Sequence, residues 1–398
     1  MTHENNQSEG GDSRNGITRR KLLKSGATSP VMIGALPVSN LSRSTRIVTD
    51  RAGLQNEAVQ TRRVPKKWLN HERAVRRINK KVGRTVQNKE FVKSIYIGGA
   101  SKSTDGLLYA QLVIEVNEKA TESQVDALPR SIEEAGVSAP ADMEFTDIRI
   151  ERTEGEYKKA CANGNFANDP YPGGIYIESP NTVGRGTSGY RMTDGSQEYI
   201  ISAAHNFASC EIDTSVKARA HHGGDGTYPE IGTVADGHKV HDWALIEPSS
   251  TDIDDIEKKI WHGEGNNESD GAKTTVGAYK TKDGLSAIKG QTVWKQGTTT
   301  GYEGGTFKGY SSNANNLGCI RMDWGGARAA INTAKGDSGG PMWDYVMKDG
   351  SEVASVITQI ALRTGSVIAS CNGTDVYEYG VGWPTFRIVN NTGYRINK

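Results

Sequence analysis

The run Lys335-Gly336-Asp337-Ser338-Gly339-Gly340-Pro341 sets one serine among three glycines and an acid. A serine that attacks carbonyl carbon needs an exposed hydroxyl and nearby backbone N–H groups to hold the developing oxyanion. Glycines on both sides let the chain turn tightly and keep bulk away from an incoming carbonyl. The competing reading is a plain Gly/Ser/Asp turn, which these residues form readily. Such a serine also needs a base. Tyr199-Ile200-Ile201-Ser202-Ala203-Ala204-His205 is an apolar run ending in small residues and a histidine. A lone histidine there is more often structural, and the loop at Ser338 is what makes His205 a candidate base. The imidazole in turn needs a carboxylate to fix its tautomer. Asp242, opening Asp242-Trp243-Ala244-Leu245-Ile246, supplies one. Asp252, Asp254 and Asp255 compete but lie in an acid-rich run that reads as a solvated loop.

The chain order His205, Asp242, Ser338, with separations of 37 and 96 residues, resembles that of the chymotrypsin/trypsin family and not that of subtilisins or α/β-hydrolases. The segment Lys295-Gln296-Gly297-Thr298-Thr299-Thr300-Gly301 is similar to one found in its bacterial streptogrisin and alpha-lytic protease branch. The resemblance spans roughly 170–390. It implies a mainly β fold: two antiparallel six-stranded β-barrels with the active site between them, preceded here by a small α+β N-terminal module. It also implies a serine endopeptidase without a cofactor, acting on protein or peptide substrates. Ser338 is then the nucleophile, His205 the acid–base group and Asp242 its orienting acid. The backbone N–H groups of Gly336 and Ser338 form the oxyanion hole. Asp337, inside the nucleophile loop, needs a buried cationic or hydrogen-bonding partner; a new N-terminus and an arginine are the family's two solutions, and nothing local chooses between them. Asn332, six residues before Ser338, falls where a pocket-floor acid stands in trypsins, so a neutral floor argues against Arg/Lys preference. Cys161 and Cys210 bracket His205, while Cys319 and Cys371 bracket Ser338; those two pairings are expected, with swapped pairing or reduced, buried thiols as alternatives.

Elements must hold these residues in place. After residue 160 the chain becomes glycine-rich turns between short apolar runs, with strands expected at 173–177, 198–203, 243–246, 291–294 and 352–361. Lys348-Asp349-Gly350 reads as a hairpin turn. Before 160 the texture differs. Residues 66–82 place Trp68, Val75 and Ile78 near one face of a basic helix. Strands are expected at 91–97, 107–116 and 143–155. A Thr121/Gln124 capping box opens a helix over 121–135, which Gly136 can end and Pro129 can kink.

Charge divides along the same line: 27 Lys and Arg against 20 Asp and Glu up to residue 160, and 21 against 27 afterwards. The near-zero total argues against a nucleic-acid binder, and the basic N-terminal part lacks aromatic interleaving. Within 1–40, Arg19-Arg20 followed by Leu22 and Leu23 and a modestly apolar stretch resembles a twin-arginine export signal, with a disordered basic tail as the alternative. Export implies a secreted or cell-surface protein of a prokaryote, without a stable membrane anchor. Residues 41–160 then read as a propeptide, an intramolecular chaperone and inhibitor whose charge complements 161–398, or as a retained accessory domain. His221, His222, His238 and His241 invite a zinc site, but no ligand spacing supports one and no metal is expected. The rival functions are a catalytically silent protease-fold protein and an esterase using the same triad.

Overall fold

The computed structural model describes residues 43–152, except 87, and 171–396 with breaks at 181–183, 208–210, 221–227, 250–255, 263–271, 318–319, 322–324 and 372. The expected leader and three of the four cysteines lie outside these residues. No helix among the described residues is long and apolar enough to cross a membrane.

The chain is mainly β, built on two sheets. The smaller has seven strands, ordered Arg185–Thr187, Tyr176–Glu178, Lys217–Ala220, Glu230–His238, Trp243–Pro248, Glu198–Ser202 and Arg191–Thr193. All its pairings are antiparallel. Alternation of Ile and Val with polar residues turns one face of these strands inward, where Ile177, Ile200, Val234 and Ile246 share a core. The larger sheet has sixteen strands. Its centre is Pro341–Lys348 beside Thr292–Gly297, Gly301–Leu317 and Gly326–Ala334. The count therefore exceeds six strands per lobe, and the surplus in the larger sheet comes in part from the N-terminal segment.

Ser44–Ala52 pairs antiparallel with Ala272–Lys280, with Asp50 opposite Lys280. Val92–Thr104 pairs antiparallel with Gly301–Leu317 and carries Leu107–Val116 and Ile148–Arg152 outward beyond it. One hydrophobic cluster accordingly runs from Val75 and Leu112 through Ile331 and Trp343 to Ile357. Three buried ion pairs cross the same seam. Glu72 meets Lys289. Arg328 makes a forked contact with Glu115 (2.6 and 2.5 Å). Lys280 lies between Asp50 (3.0 Å) and Asp344 (2.8 Å). Buried charges survive only when paired in this way.

The helix expected at 66–82 runs over Lys66–Val86 and buries Trp68, Val75 and Ile78 as expected. His71 is buried on the same helix. Its Nε2 donates to the Ala110 carbonyl (2.7 Å), and its Nδ1 accepts from the Glu144 amide (2.9 Å). Burial pulls its pKa down, so this histidine is a neutral structural link. The capping box at Thr121 and Gln124 forms, but its helix covers only Glu122–Asp126. Pro129 explains the early stop: a proline disfavours helical geometry in the residue before it and contributes no N–H. The strand expected over 143–155 is likewise confined to Ile148–Arg152 among the described residues, where it finds Leu112–Val116 to pair with. At Lys348-Asp349-Gly350 the expected hairpin turn is present, with Asp349 and Gly350 both at positive φ (50° and 81°), the twist that two-residue hairpin turns require.

Candidate active site

His205 and Asp242 come from the seven-stranded sheet, and Ser338 from the sixteen-stranded one. Glu198–Ser202 ends in Ala203, and a single 3-10 turn, Ala204–Asn206, then presents His205. Asp242 precedes Trp243–Pro248, which pairs with Glu198–Ser202. That register brings the two residues together. His205 Nδ1 lies 2.7 Å from Asp242 Oδ2, and the His205 backbone N–H donates to Asp242 Oδ1 (2.9 Å). The carboxylate is fully buried, whereas the imidazole side chain keeps 30% of its surface exposed. Asp242 sits at φ +56°, a left-handed conformation that aspartate tolerates far better than branched residues. Burial pulls the His205 pKa down, but the charge of Asp242 and its hydrogen bond outweigh burial and the opposing Arg363; the net direction is up.

Ser338 follows the strand Gly326–Ala334 and is 7% exposed. Its carbonyl accepts from the Thr187 amide (2.8 Å) and from Asn206 Nδ2 (2.9 Å). The loop that carries Ser338 is therefore tied to the residue that follows His205. Within the loop, the N–H groups of Asp337, Gly339 and Gly340 are engaged by Ala334, Ile360 and Asp337 carbonyls. Those of Gly336 and Ser338 have no hydrogen-bond partner among the described residues. Both peptide planes are held from the other side. The Lys335 carbonyl accepts from Thr299 Oγ1 (2.6 Å), and the Asp337 carbonyl from the Gly340 amide (2.9 Å). A trans peptide with its C=O fixed one way aims its N–H the other. Gly336 and Gly339 adopt φ +106° and +94°, and a Cβ at either would lie within 2.3 Å of neighbouring atoms. Only glycine fits there.

Asp337 has the partner that local sequence left open. Its Oδ1 accepts from the Thr299 and Thr300 amides (2.8 and 3.0 Å), and its Oδ2 from Thr300 Oγ1 (2.5 Å) and the Ala334 amide (2.8 Å). Lys295 Nζ stands 3.8 Å from Oδ2 and donates to the Gly301 carbonyl (3.0 Å) and to Thr300 Oγ1. The Lys-Gln-Gly-Thr-Thr-Thr-Gly segment is thus the cradle of the loop that carries Ser338. Here neither an arginine nor a chain terminus fills that place, but a lysine assisted by main-chain N–H groups. Thr187 and Thr298 complete the cradle by donating to the Gly336 carbonyl (2.7 and 2.8 Å); Thr298 belongs to the segment that the sequence marks, whereas nothing local marks Thr187.

Asn332 is 6% exposed in the strand Gly326–Ala334, and its carbonyl accepts from Thr300 Oγ1 (3.2 Å). Cys161, Cys210 and Cys319 fall outside the described residues; Cys371 is buried and is not a free thiol. His221 and His222 are also outside. His238 and His241 stack face to face (4.0 Å between centroids), and His241 stacks on Trp383 (3.6 Å). Burial, His238 and Arg387 lower the His241 pKa to about 4. Among the described residues no group of three or more His, Cys, Asp or Glu side chains is arranged to hold a metal.

No family model matches the sequence, and no curated protein matches it. Among solved structures the chain is similar to Thermobifida fusca protease A, with 19% identity over 57% of this chain and 98% of that one and a TM-score of 0.39. Nocardiopsis protease shows 16% identity over 57% and 98%, with a TM-score of 0.38. For Cellulomonas bogoriensis chymotrypsin the figures are 18%, 56%, 97% and 0.38. Each of these likenesses covers a little more than half of this chain.

Proposed function

We propose that this protein is a secreted serine endopeptidase that cleaves peptide bonds through an acyl-enzyme intermediate. The observation that carries the reading is the fully buried Asp242 carboxylate gripping both the ring and the backbone of His205, with Ser338 tied to the adjoining Asn206. In this reading Ser338 Oγ attacks the scissile carbonyl and His205 takes its proton, later passing it to the leaving amine. Asp242 holds the ring in the tautomer that leaves Nε2 free to accept. The unengaged amides of Gly336 and Ser338 receive the oxyanion. Asn332 gives a neutral pocket floor, which disfavours lysine and arginine side chains. The twin-arginine-like leader supports export, and pairing of Cys161 with Cys210 and of Cys319 with Cys371 belongs to the same reading.

Residues 41–160 act, in this proposal, as an intramolecular folding partner of the protease lobe. Their strands extend its sheet, and the three ion pairs across the seam favour a segment that stays bound. An inhibitory propeptide would instead have to leave before activity appears. N-terminal sequencing of purified active enzyme distinguishes the two: an intact 41–160 segment in the active species overturns the removed propeptide, and a mature start near 161 overturns retention.

A fluorophosphonate label tests the chemistry. Covalent labelling and casein cleavage are expected in the native chain and are lost in Ser338→Ala. Labelling without casein cleavage would leave an esterase, and no labelling at all would leave a silent protease-fold protein.

A further inference from the structure

A cavity of about 980 Å³ opens between the strand Ser44–Ala52, the first turns of the helix Lys66–Val86, the segment around Tyr279 and Asp283, and the C-terminal helix Thr385–Asn391. It shares no residue with the triad. Seven cationic side chains line it against a single carboxylate, Asp283. Asp283 is already engaged, accepting from Arg76 Nη1 (2.8 Å). Arg77 reaches out to Asp142 (2.9 Å), and Arg51 donates to the Asn56 carbonyl (2.5 Å). The remaining four, Arg46, Lys66, Arg73 and Lys282, have no carboxylate at ion-pair distance among the described residues.

The buried cations of the chain are held differently. Lys280, Lys289 and Arg328, which lie deeper, each meet a carboxylate. Around the cavity Arg46, Lys66, Arg73 and Lys282 are instead exposed and gather like charge with no carboxylate of their own, a repulsion that water screens only in part. The helix Lys66–Val86 sharpens the conflict. Its first turn has no acidic residue and carries Lys66 and Lys67, at the end where the helix dipole is positive and favours anions. Lys67 turns away to Glu144 (2.6 Å), whereas Lys66 faces the cavity. Burial, Arg76 and Arg387 all act to lower the pKa of Lys282. Every one of these features is relieved by an anion.

We propose that this cavity binds a small molecule carrying two or more linked phosphate groups, seated on the seam between the N-terminal segment and the protease lobe. Arginine forks match phosphate oxygens in pairs, and the positive end of the helix dipole at Lys66 adds to the same field. The cavity lies at the upper end of the range that small ligands occupy. Because the ligand would touch both sides of the seam, its binding stabilises the docked N-terminal segment.

The test uses the full chain and sodium tripolyphosphate, followed by calorimetry and thermal unfolding at constant ionic strength. Saturable binding and a raised unfolding temperature are expected, and sodium chloride of matched ionic strength should give neither. Arg73→Glu combined with Lys282→Glu should weaken binding by at least about tenfold, the scale of losing a charged hydrogen bond. Arg130→Glu, which reverses an exposed charge outside the cavity, should leave it unchanged. ATP in place of tripolyphosphate reads the source of the phosphates: tighter binding assigns a nucleotide, and equal binding assigns the phosphate chain alone. Should the double variant fold poorly, the single changes Arg73→Gln and Lys282→Gln carry the same comparison. The proposal is overturned by absent saturation, by a matching effect of plain salt, or by cavity variants that bind like the native chain. Ser338→Ala should bind as the native chain does, so the outcome is independent of the protease reading.

Discussion

Asp242 and Asp337 are both buried aspartates within the same candidate site, yet their surroundings assign them different work. The oxygens of Asp242 accept from one residue, His205, once from its ring and once from its main chain. Those of Asp337 accept from three amides and a hydroxyl, with Lys295 behind them. A carboxylate satisfied by main-chain donors has partners that do not themselves titrate. One satisfied by a titratable ring feels each proton that the ring gains or loses. Asp337 braces its loop, whereas Asp242 is the one that the proposed mechanism couples to chemistry.

That contrast can be broken in graded steps. Ser338→Ala removes the group that both aspartates serve, and turnover of a peptide substrate is expected to fall on the order of 10⁶-fold with folding intact. Asp242→Asn keeps the shape but offers His205 a partner that can stabilise the wrong tautomer. A loss of about 10⁴-fold in kcat is expected, with little change in unfolding temperature. Asp337→Ala should do the reverse in character: it strands Lys295 and three amides, and costs roughly 3–5 kcal/mol of stability by denaturant titration. Equal stability losses at both aspartates would erase the distinction drawn between them.

The smallest expected effect lies in pH. Asp242 holds the His205 pKa above the ordinary imidazole value of 6.5 despite burial, so the acid limb of kcat/KM should lie above that value. Arg363 pulls the other way, and Arg363→Gln should move the limb further up while leaving the plateau nearly unchanged. A limb that moves down would contradict this electrostatic account. The stability linkage has a definite sign. A raised folded-state pKa contributes stability that is complete below the ordinary value and is lost as pH rises through the raised one. Activity as a base therefore appears where that contribution disappears.

Local pattern made much of this legible. The strand Leu107–Val116 is a dense run of Leu, Val and Ile, and its bounds are those expected. His205, Asp242 and Ser338 could be singled out as candidates because a glycine-flanked serine, a histidine after an apolar strand and an acid before another one each carry a local signature. What escaped is contact between distant parts. Asp337 lies 42 residues beyond Lys295, and nothing in either neighbourhood announces the other, although the lysine within a Gly/Thr turn was a visible clue. The helix expected over 121–135 stops at Asp126, since a capping box marks where a helix begins and not how far it runs, and Pro129 ends it. The N-terminal segment read as a separate module since strand pairing across 200 residues leaves no periodic trace.

Pairing of Asp50 with Lys280 also has a consequence in time. On a ribosome adding about 5–20 residues per second, the strand Ser44–Ala52 waits roughly 10–50 seconds before its partner exists. Ser355, whose hydroxyl donates to Asp50 (2.5 Å), is made later still. The first strand of the larger sheet is thus completed among the last, once the C-terminal half has been synthesised. A chain wired this way completes its larger sheet only after segments made far apart in time have met.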